Sequence, residues 1–343
     1  MTCARGTILS QSIQSNIATT RRFRVGIVGV SGYGGGETLR LCLGHPQFDL
    51  VYVAGEGSAG QKLVERFPGI GAAGDLMIQK WDPANLPSLD ILFASLPTGE
   101  SKEALAKVPS QTRIVDIGGD HRFVEGWTYG LADIWPDRIR QAKRIANPGC
   151  YPAASLAALA PLLAAKLVQP ANLIVDAKSG VSGAGRGGAG NVFGYAEINE
   201  DVSAYGLFKH AHVPEMNKTL AQIAGADVSI TFTPHLIPMT RGILATCYAR
   251  GKVSTEACLE AARKFYANRP FVRVVEKTPH TKWATGSNLV FVSYASDPQR
   301  EMVIALGAID NLGKGAAGQA VQNANLMLGI DETAGLSGAP LWP

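Results

Sequence analysis

Charge is scarce in this sequence. Only 17% of its 343 residues are Asp, Glu, Lys or Arg, aromatics make up 7%, and the five cysteines include no C-x-x-C pair. With 46% hydrophobic residues, the scarcity of charge excludes a disordered chain and leaves material for two ordinary domain cores. The net charge is +4 and no block of Lys and Arg stands out, so nothing points to nucleic acid. A mild positive excess suits an anionic small molecule. Cys3, Cys42, Cys150, Cys247 and Cys258 are scattered and odd in number. A disulfide framework and a zinc site are therefore not expected, no metal is expected, and a reducing cytoplasmic setting is the default. Cys42 and Cys258 sit in apolar helical patterns and read as packing residues. No apolar run is long enough to cross a membrane. Residues 1–22 hold Ser, Thr, Gln and Arg but no acid. They read as a short flexible extension, with an organellar transit peptide as the alternative.

What is present begins with alternation. Phe23 to Gly29, Leu50 to Ala54, Asp90 to Ala94 and Arg113 to Asp116 read as strands, with helical patterns such as Glu37 to Leu43 and Ser101 to Lys107 between them. Strands alternating with helices predict a parallel, doubly wound α/β sheet over 23–149. After Cys150 the texture changes. An Ala/Leu-rich helix is predicted over Ala153 to Ala165, with Pro152 as its first residue. Five strands follow, with one strong helix, Thr255 to Ala267, among the later ones. That predicts an α+β domain over 150–313 with a mostly antiparallel sheet.

Gly29-Val30-Ser31-Gly32-Tyr33-Gly34-Gly35 lies directly between the first strand and the first helix. Glycines there let amide N–H groups approach a pyrophosphate at a helix N-terminus, which is the requirement for a dinucleotide. Past the second strand, Glu56 would favour NAD and Ser58 would admit NADP, and the residues leave the choice open. A second glycine-rich loop, Ser179 to Gly188, contains Ser182 and Gly183 between Lys178 and Arg186. It reads equally as a flexible linker or as a site for an anion or the nicotinamide end.

Asn147-Pro148-Gly149-Cys150-Tyr151-Pro152 carries the chemistry. It places Cys150 at a helix N-terminus, where the dipole is expected to lower the thiol pKa. A thiolate nucleophile wants a base, and His210-Ala211-His212-Val213-Pro214-Glu215 offers two imidazoles that an extended segment would put on one side. His45, before Pro46, reads as a surface turn. Arg122, Arg241 and Asn147 are candidates for phosphate or carboxylate binding, against salt-bridge roles for the arginines.

These segments, with Lys178 to Arg186, Thr233-Pro234-His235-Leu236-Ile237-Pro238-Met239-Thr240-Arg241-Gly242 and Asp310-Asn311-Leu312-Gly313-Lys314-Gly315 onward, resemble the N-acetyl-gamma-glutamyl-phosphate reductase family in order and over nearly the whole span from Arg24 to Gly329. The resemblance implies a Rossmann domain, a catalytic and subunit-contact domain, and a helix over 314–329 returning to the first domain. It implies NADPH as reductant, a small acyl phosphate as substrate, and a homodimer or homotetramer. By matching position, Cys150 is the nucleophile, His210 the acid/base and His212 a substrate-orienting residue. Asn311 matches the residue beside the nicotinamide. The expected reaction is reduction of N-acetyl-glutamyl 5-phosphate to N-acetyl-glutamate 5-semialdehyde. An aspartate-semialdehyde dehydrogenase and a lysine-pathway reductase acting on a carrier-linked acyl phosphate are the rival enzymes. A nicotinamide-binding redox sensor is the rival outside enzymes.

Overall fold

The structure is a computed structural model that describes residues 21–71, 73–186 and 194–341. Most of the 1–22 extension lies outside the described residues, as do Gly187 and Gly188 of the second loop. No helix among the described residues is long and apolar enough to cross a membrane.

The first half forms six strands: β1 (Phe23–Val28), β2 (Phe48–Ala54), β3 (Ile91–Ala94), β4 (Arg113–Asp116), β5 (Thr128–Tyr129) and β6 (Arg144–Ala146). They pair in the order β2-β1-β3-β4-β6-β5, all parallel. Helices cover such a sheet on both faces, which is why β3 is buried at every residue and β1 at all but Arg24. The chain order reverses between β1 and β3, so a ligand crevice is expected at the carboxyl ends of those two strands. The first helix, Tyr33–Leu43, leaves from the end of β1.

The second half forms β7 (Leu173–Gly180), β8 (Ser203–Ala204), β9 (Ile230–Ile237), β10 (Ile243–Arg250), β11 (Val272–Val274), β12 (Val290–Asp297) and β13 (Met302–Ile309). Their order is β11-β12-β13-β10-β7-β9-β8, and four of the six neighbouring pairs are antiparallel. Behind this sheet lies the helix Cys150–Ala164, buried at every residue from Tyr151 to Leu163. A helix apolar on all sides can only be a core helix. Its alanines let the sheet come close. A Cβ on Gly307 of β13 would lie 2.2 Å from the carbonyl of Ala154.

Pro161 sits inside that helix and donates no hydrogen bond to the carbonyl of Ala157, four residues earlier. The phenol of Tyr266 donates to that carbonyl instead, at 2.9 Å. Tyr266→Phe orphans a buried acceptor and is expected to lower stability by about 1–3 kcal/mol with turnover unchanged, measured by urea unfolding.

The C-terminal helix, Gly318–Leu328, packs Ala320, Val321, Ala324 and Met327 against the core of the first domain, among Val25, Ile27 and Phe93. Its buried amides are satisfied across that contact. Gln319 and Asn323 both donate to the carbonyl of Gly130, at 2.8 and 2.9 Å.

Two expectations are corrected. The segment after His210 is not extended: a helix, His212–Ala224, begins at the second histidine. Val213, Met216, Leu220 and Ile223 give it an inward stripe, and Gly225, at φ +65°, ends it. The Pro-Glu at its start hid that period. His45 is not a surface turn. It is buried, stacked on Phe48 at 3.6 Å, and bonded to Asn325 at 3.0 Å.

Candidate active site

The helix carrying Cys150 starts two residues before Pro152, its predicted first residue. Gly149 is its N-cap and Cys150 its first residue, so Pro152 is the third. The first four amides of a helix have no intrahelical acceptor, so a proline there costs no bond. The amides of Cys150 and Tyr151 have no intrahelical acceptor and lie at the thiol of their own turn. These amides and the nearby Arg122 guanidinium favour thiolate, but burial outweighs them and pushes the thiol up to about 11. The expected lowering is therefore corrected: desolvation exceeds the downward pull of the two amides and Arg122. In the absence of ligands, alkylation of Cys150 by iodoacetamide is expected to quicken about tenfold per pH unit from 7 to 10. A plateau near pH 7 would contradict this.

Four elements meet around that turn. Glu215, in the first turn of the helix His212–Ala224, is buried and takes three donors. These are the amide of Gly149 at 2.8 Å, the phenol of Tyr129 at 2.6 Å and a guanidinium nitrogen of Arg122 at 2.8 Å. Arg122 also donates to the carbonyl of Asn147 at 3.1 Å. Asn147 is wholly buried. It donates to the carbonyl of Ala316 and accepts from Asn323, each at 3.0 Å. Over the thiol side lies the turn Gly313–Ala317, where a Cβ on Gly315 would stand 2.8 Å from that of Cys150.

The two histidines reach this place although a helix begins at the second of them. A Cβ on Gly149 would lie 2.4 Å from Nε2 of His212, so only glycine lets the imidazole pack there. The His210 ring lies 4.7 Å from that of His212 and meets Tyr151 edge-on at 5.8 Å. The amide of His212 donates to Nδ1 of His210 at 3.1 Å. An accepting Nδ1 assigns the proton of neutral His210 to Nε2. Burial holds the His210 pKa below the ordinary 6.5. Burial, then Arg122 and His210, hold that of His212 well below it.

The low pKa of His212 is also a stability statement. Below 6.5 the unfolded chain takes a proton that the folded site refuses. Stability from this group is complete above that pH and falls below it, by about 1.4 kcal/mol per pH unit. His212→Asn is expected to flatten the fall between pH 6.5 and 5 by about one proton, measured by denaturant midpoints.

The first glycine loop fits a dinucleotide. Gly29 has φ +80°, and a Cβ there would lie 2.1 Å from the carbonyl of Ser95. One on Gly35 would lie 2.0 Å from the carbonyl of Gly29. These positions keep the backbone bare at a helix N-terminus with Gly32 as its N-cap and no side chain capping it. A cleft of about 1010 Å³ opens at the ends of β1 and β3, lined by Gly29, Gly55, Glu56 and Leu96 among others. The hydroxyls of Ser31 and Ser58 are hydrogen-bonded to each other, and Glu56 is exposed. Tyr33 and Gly34 form the first turn of the helix, with Tyr33 exposed.

The second loop joins this region. Asn311 accepts from the amide of Gly242 at 2.7 Å and donates to Ser182 at 2.9 Å. Gly183 lies beside it, and Arg186 reaches the carbonyl of Ser31 at 3.4 Å.

Comparison with known proteins follows this division. Residues 24–142 match the family described as semialdehyde dehydrogenase, NAD binding domain, and residues 150–311 match semialdehyde dehydrogenase, dimerisation domain. An N-acetyl-gamma-glutamyl-phosphate reductase of Methylobacterium sp. (strain 4-46) is 66% identical over 93% of this chain and 99% of its own. One of Bradyrhizobium sp. (strain ORS 278) is 67% identical with the same coverage. The chain belongs to the N-acetyl-gamma-glutamyl-phosphate reductase family. Its fold is also that of more distant semialdehyde dehydrogenases. Aspartate semialdehyde dehydrogenase II from Vibrio cholerae superposes with a TM-score of 0.73 at 18% identity, covering 90% of this chain and 99% of that one. An NADP complex of the Candida albicans enzyme gives 0.69 at 16%, covering 90% and 98%.

Not every residue singled out from the sequence stands free at the site of this reductase-family chain. All three guanidinium nitrogens of Arg241 are engaged, two on Glu37 at 3.2 and 2.8 Å and Nε on Asp310 at 2.9 Å. Arg241 thus ties the helix after the cofactor loop to the turn that carries Asn311. Arg122 is likewise paired with Glu215 and largely buried. Both contacts are internal rather than surface salt bridges. Glu215 and Tyr129 were missed as site residues. Glu215 stood inside the quoted His-x-His-x-Pro-Glu segment, but only the fold brings it beneath Gly149. Tyr129 left no signal.

Proposed function

We propose that this protein uses NADPH to reduce N-acetyl-glutamyl 5-phosphate to N-acetyl-glutamate 5-semialdehyde, releasing phosphate, with Cys150 as covalent nucleophile and His210 as acid/base. The observation that carries the reading is Cys150 at a bare helix N-terminus in a chain two-thirds identical, over nearly its whole length, to proteins named for that reaction.

The thiolate of Cys150 attacks the acyl carbonyl and the C–O bond to phosphate breaks, leaving a thioester. The amides of Cys150 and Tyr151 stabilise the sulfur anion before attack and after its release. The thiol proton passes through His210 to the departing phosphate oxygen. The resting ring, with Nδ1 accepting and Nε2 protonated, is set for the donating half of that transfer. The receiving half requires Nδ1 to release the His212 amide. The cofactor, when bound, supplies the hydride that reduces the thioester. The oxygen then carries the charge, and once phosphate has left and exchange with solvent has returned His210 to its resting tautomer, its Nε2–H is the donor to meet it. Collapse to the aldehyde returns the sulfur anion to its two amides. His212, packed on Gly149, orients the substrate beside the nucleophile. Ser182, Gly183 and Asn311 would hold the nicotinamide end of a bound cofactor, and Ser31 and Ser58 its ribose end. Arg122, at the Cys150 turn, and Arg241, beside Asn311, act on the substrate side chiefly by fixing their neighbours.

NADPH is supported by Arg186 and the Ser31–Ser58 pair at one end of the cleft. A second reading, NADH, is favoured by Glu56, Glu100 and Glu103, which line the cleft with Lys107 as their one basic companion. The test runs the reaction backwards, with N-acetyl-glutamate semialdehyde, phosphate and either oxidised cofactor, following absorbance of the reduced form. Phosphate-dependent reduction faster with NADP⁺ is expected. Faster reduction with NAD⁺ selects the second reading, and no reduction with either removes the proposed substrate.

A further inference from the structure

The turn over Cys150 has almost nothing of its own to hold it in place. Its sequence, Gly313-Lys314-Gly315-Ala316-Ala317, includes a single side chain longer than a methyl group. It is wound wider than an α-helix: the amides of Gly315 and Ala317 donate to the carbonyls of Asp310 and Leu312, five residues back, each at 2.9 Å. Wide turns of this kind are rare and frequently mark functional sites. A Cβ on Gly313 would lie 2.3 Å from the carbonyl of Ser287, so the start of the turn must stay bare and adds no packing.

The one long side chain, Lys314, is 2% exposed. Its ammonium meets Oδ2 of Asp133 at 2.5 Å, donates to the side-chain carbonyl of Gln322 at 2.7 Å and stands over the Phe271 ring at 5.3 Å. Asp133 is buried in the first domain just past β5, and Phe271 leads into β11 of the second. Gln322, on the C-terminal helix, donates its amide hydrogens to Oδ1 of Asp133 at 3.3 Å and to Glu332 at 2.8 Å, which turns its carbonyl toward the ammonium. One side chain thus ties the turn to both halves. A buried ion pair is a weak source of stability, because taking two charges out of water offsets their attraction. What it selects is one arrangement, since any other leaves a charge unpaired.

We propose that Lys314 is a positioning residue: its pair with Asp133 holds the turn at 313–317, and through it the spacing between a Cys150 thioester and the nicotinamide end of the cofactor site. The inference rests on the roles proposed above for Cys150 and Asn311. The turn touches both sides of that spacing. A Cβ on Gly315 would stand 2.8 Å from that of Cys150, and the carbonyl of Ala316 takes the side-chain amide of Asn147 at 3.0 Å. Asn311, just before the turn, is bonded to Gly242 and Ser182. Acylation uses Cys150 and His210, which other elements carry. Loosening the turn therefore slows hydride transfer to the thioester carbon and spares acylation. A shift of about 1 Å between reacting groups costs about 100-fold in rate.

The test uses the Lys314→Met, Asp133→Asn double variant, which strands no charge and is expected to unfold at the parental urea midpoint. Lys314→Met alone strands Asp133 and is expected to unfold at lower urea. Mixed with N-acetyl-glutamyl 5-phosphate in the absence of cofactor, the double variant is expected to release phosphate at the wild-type rate. NADPH added afterwards is expected to be oxidised about 10- to 100-fold more slowly than by wild type. Alkylation of Cys150 by iodoacetamide without ligands, read on its own peptide by mass spectrometry, is expected to run several times faster as the turn loosens. Reduction at the parental rate overturns the proposal. So does phosphate release slowed as much as reduction, which is the mark of general damage. Should the double variant not fold, Asp133→Asn keeps the shape of the pair without its charge and is read in the same three ways. If wild type releases no phosphate, the proposed reaction has failed, and alkylation decides the inference by itself. Faster alkylation upholds the grip of Lys314 on the turn, and alkylation at the wild-type rate overturns it.

Discussion

Replacing Glu215 with alanine is expected to cost about 3–5 kcal/mol of stability and to abolish most turnover together with it. Three donors converge on this one buried carboxylate: the Gly149 amide, the Tyr129 phenol and the Arg122 guanidinium. Its removal strands a positive charge that is 13% exposed and loosens the residue immediately before Cys150. The loss should be partly recovered in the Glu215→Ala, Arg122→Met double variant, since the orphaned charge goes with its partner. Glu215→Gln keeps an acceptor for the Gly149 amide while losing the charge, and is expected to lie between wild type and alanine. Chemical denaturation of wild type, Glu215→Ala, Arg122→Met and the double variant gives the coupling energy. Additive losses would mean that Arg122 and Glu215 do not depend on each other, contrary to their geometry.

Replacing Cys150 with serine is expected to lower kcat by roughly 10³-fold or more while leaving the affinity for dinucleotide unchanged. The serine hydroxyl would face the same two amides, so the fold of the turn should persist. The hydroxyl is a far weaker nucleophile at neutral pH, and an oxygen ester is a poorer acceptor than a thioester for the following reduction. Single-turnover mixing of enzyme and acyl phosphate is expected to release phosphate in wild type without cofactor, one equivalent per active site, and none in Cys150→Ser. Normal turnover in the variant would end the covalent route.

Much of this was legible in the chain itself. Strand-helix alternation fixed the parallel sheet, because a buried parallel strand is apolar where both faces are covered, as Ile91–Ala94 is throughout and Arg113–Asp116 is at Ile114 and Val115. The glycines at 29 and 35 were readable because no other residue tolerates contacts of 2.0–2.1 Å at its Cβ. The period-two texture after Leu173 gave β7, β10, β12 and β13, although their ends ran two to four residues further than expected. Strands end where pairing ends, and pairing is not local. The helix starting at His212 was missed because Pro214 reads as a break, whereas in a first turn its missing N–H costs nothing.

What the sequence by itself determined was a cysteine at the start of a core helix, the glycine cradle and the two-part architecture, since each follows from a local steric or hydrogen-bonding need. Only the tertiary structure decided what surrounds them. The thiol stands at about 11 because burial, a property of every neighbouring element at once, exceeds the pull of two local amides. Arg241 is spent on Glu37 and Asp310, 204 and 69 residues away, and Glu215 supports Gly149 from 66 residues away. No local pattern encodes such partners. Ion pairs and buried hydrogen bonds depend on distance in space, and the fold alone sets that distance.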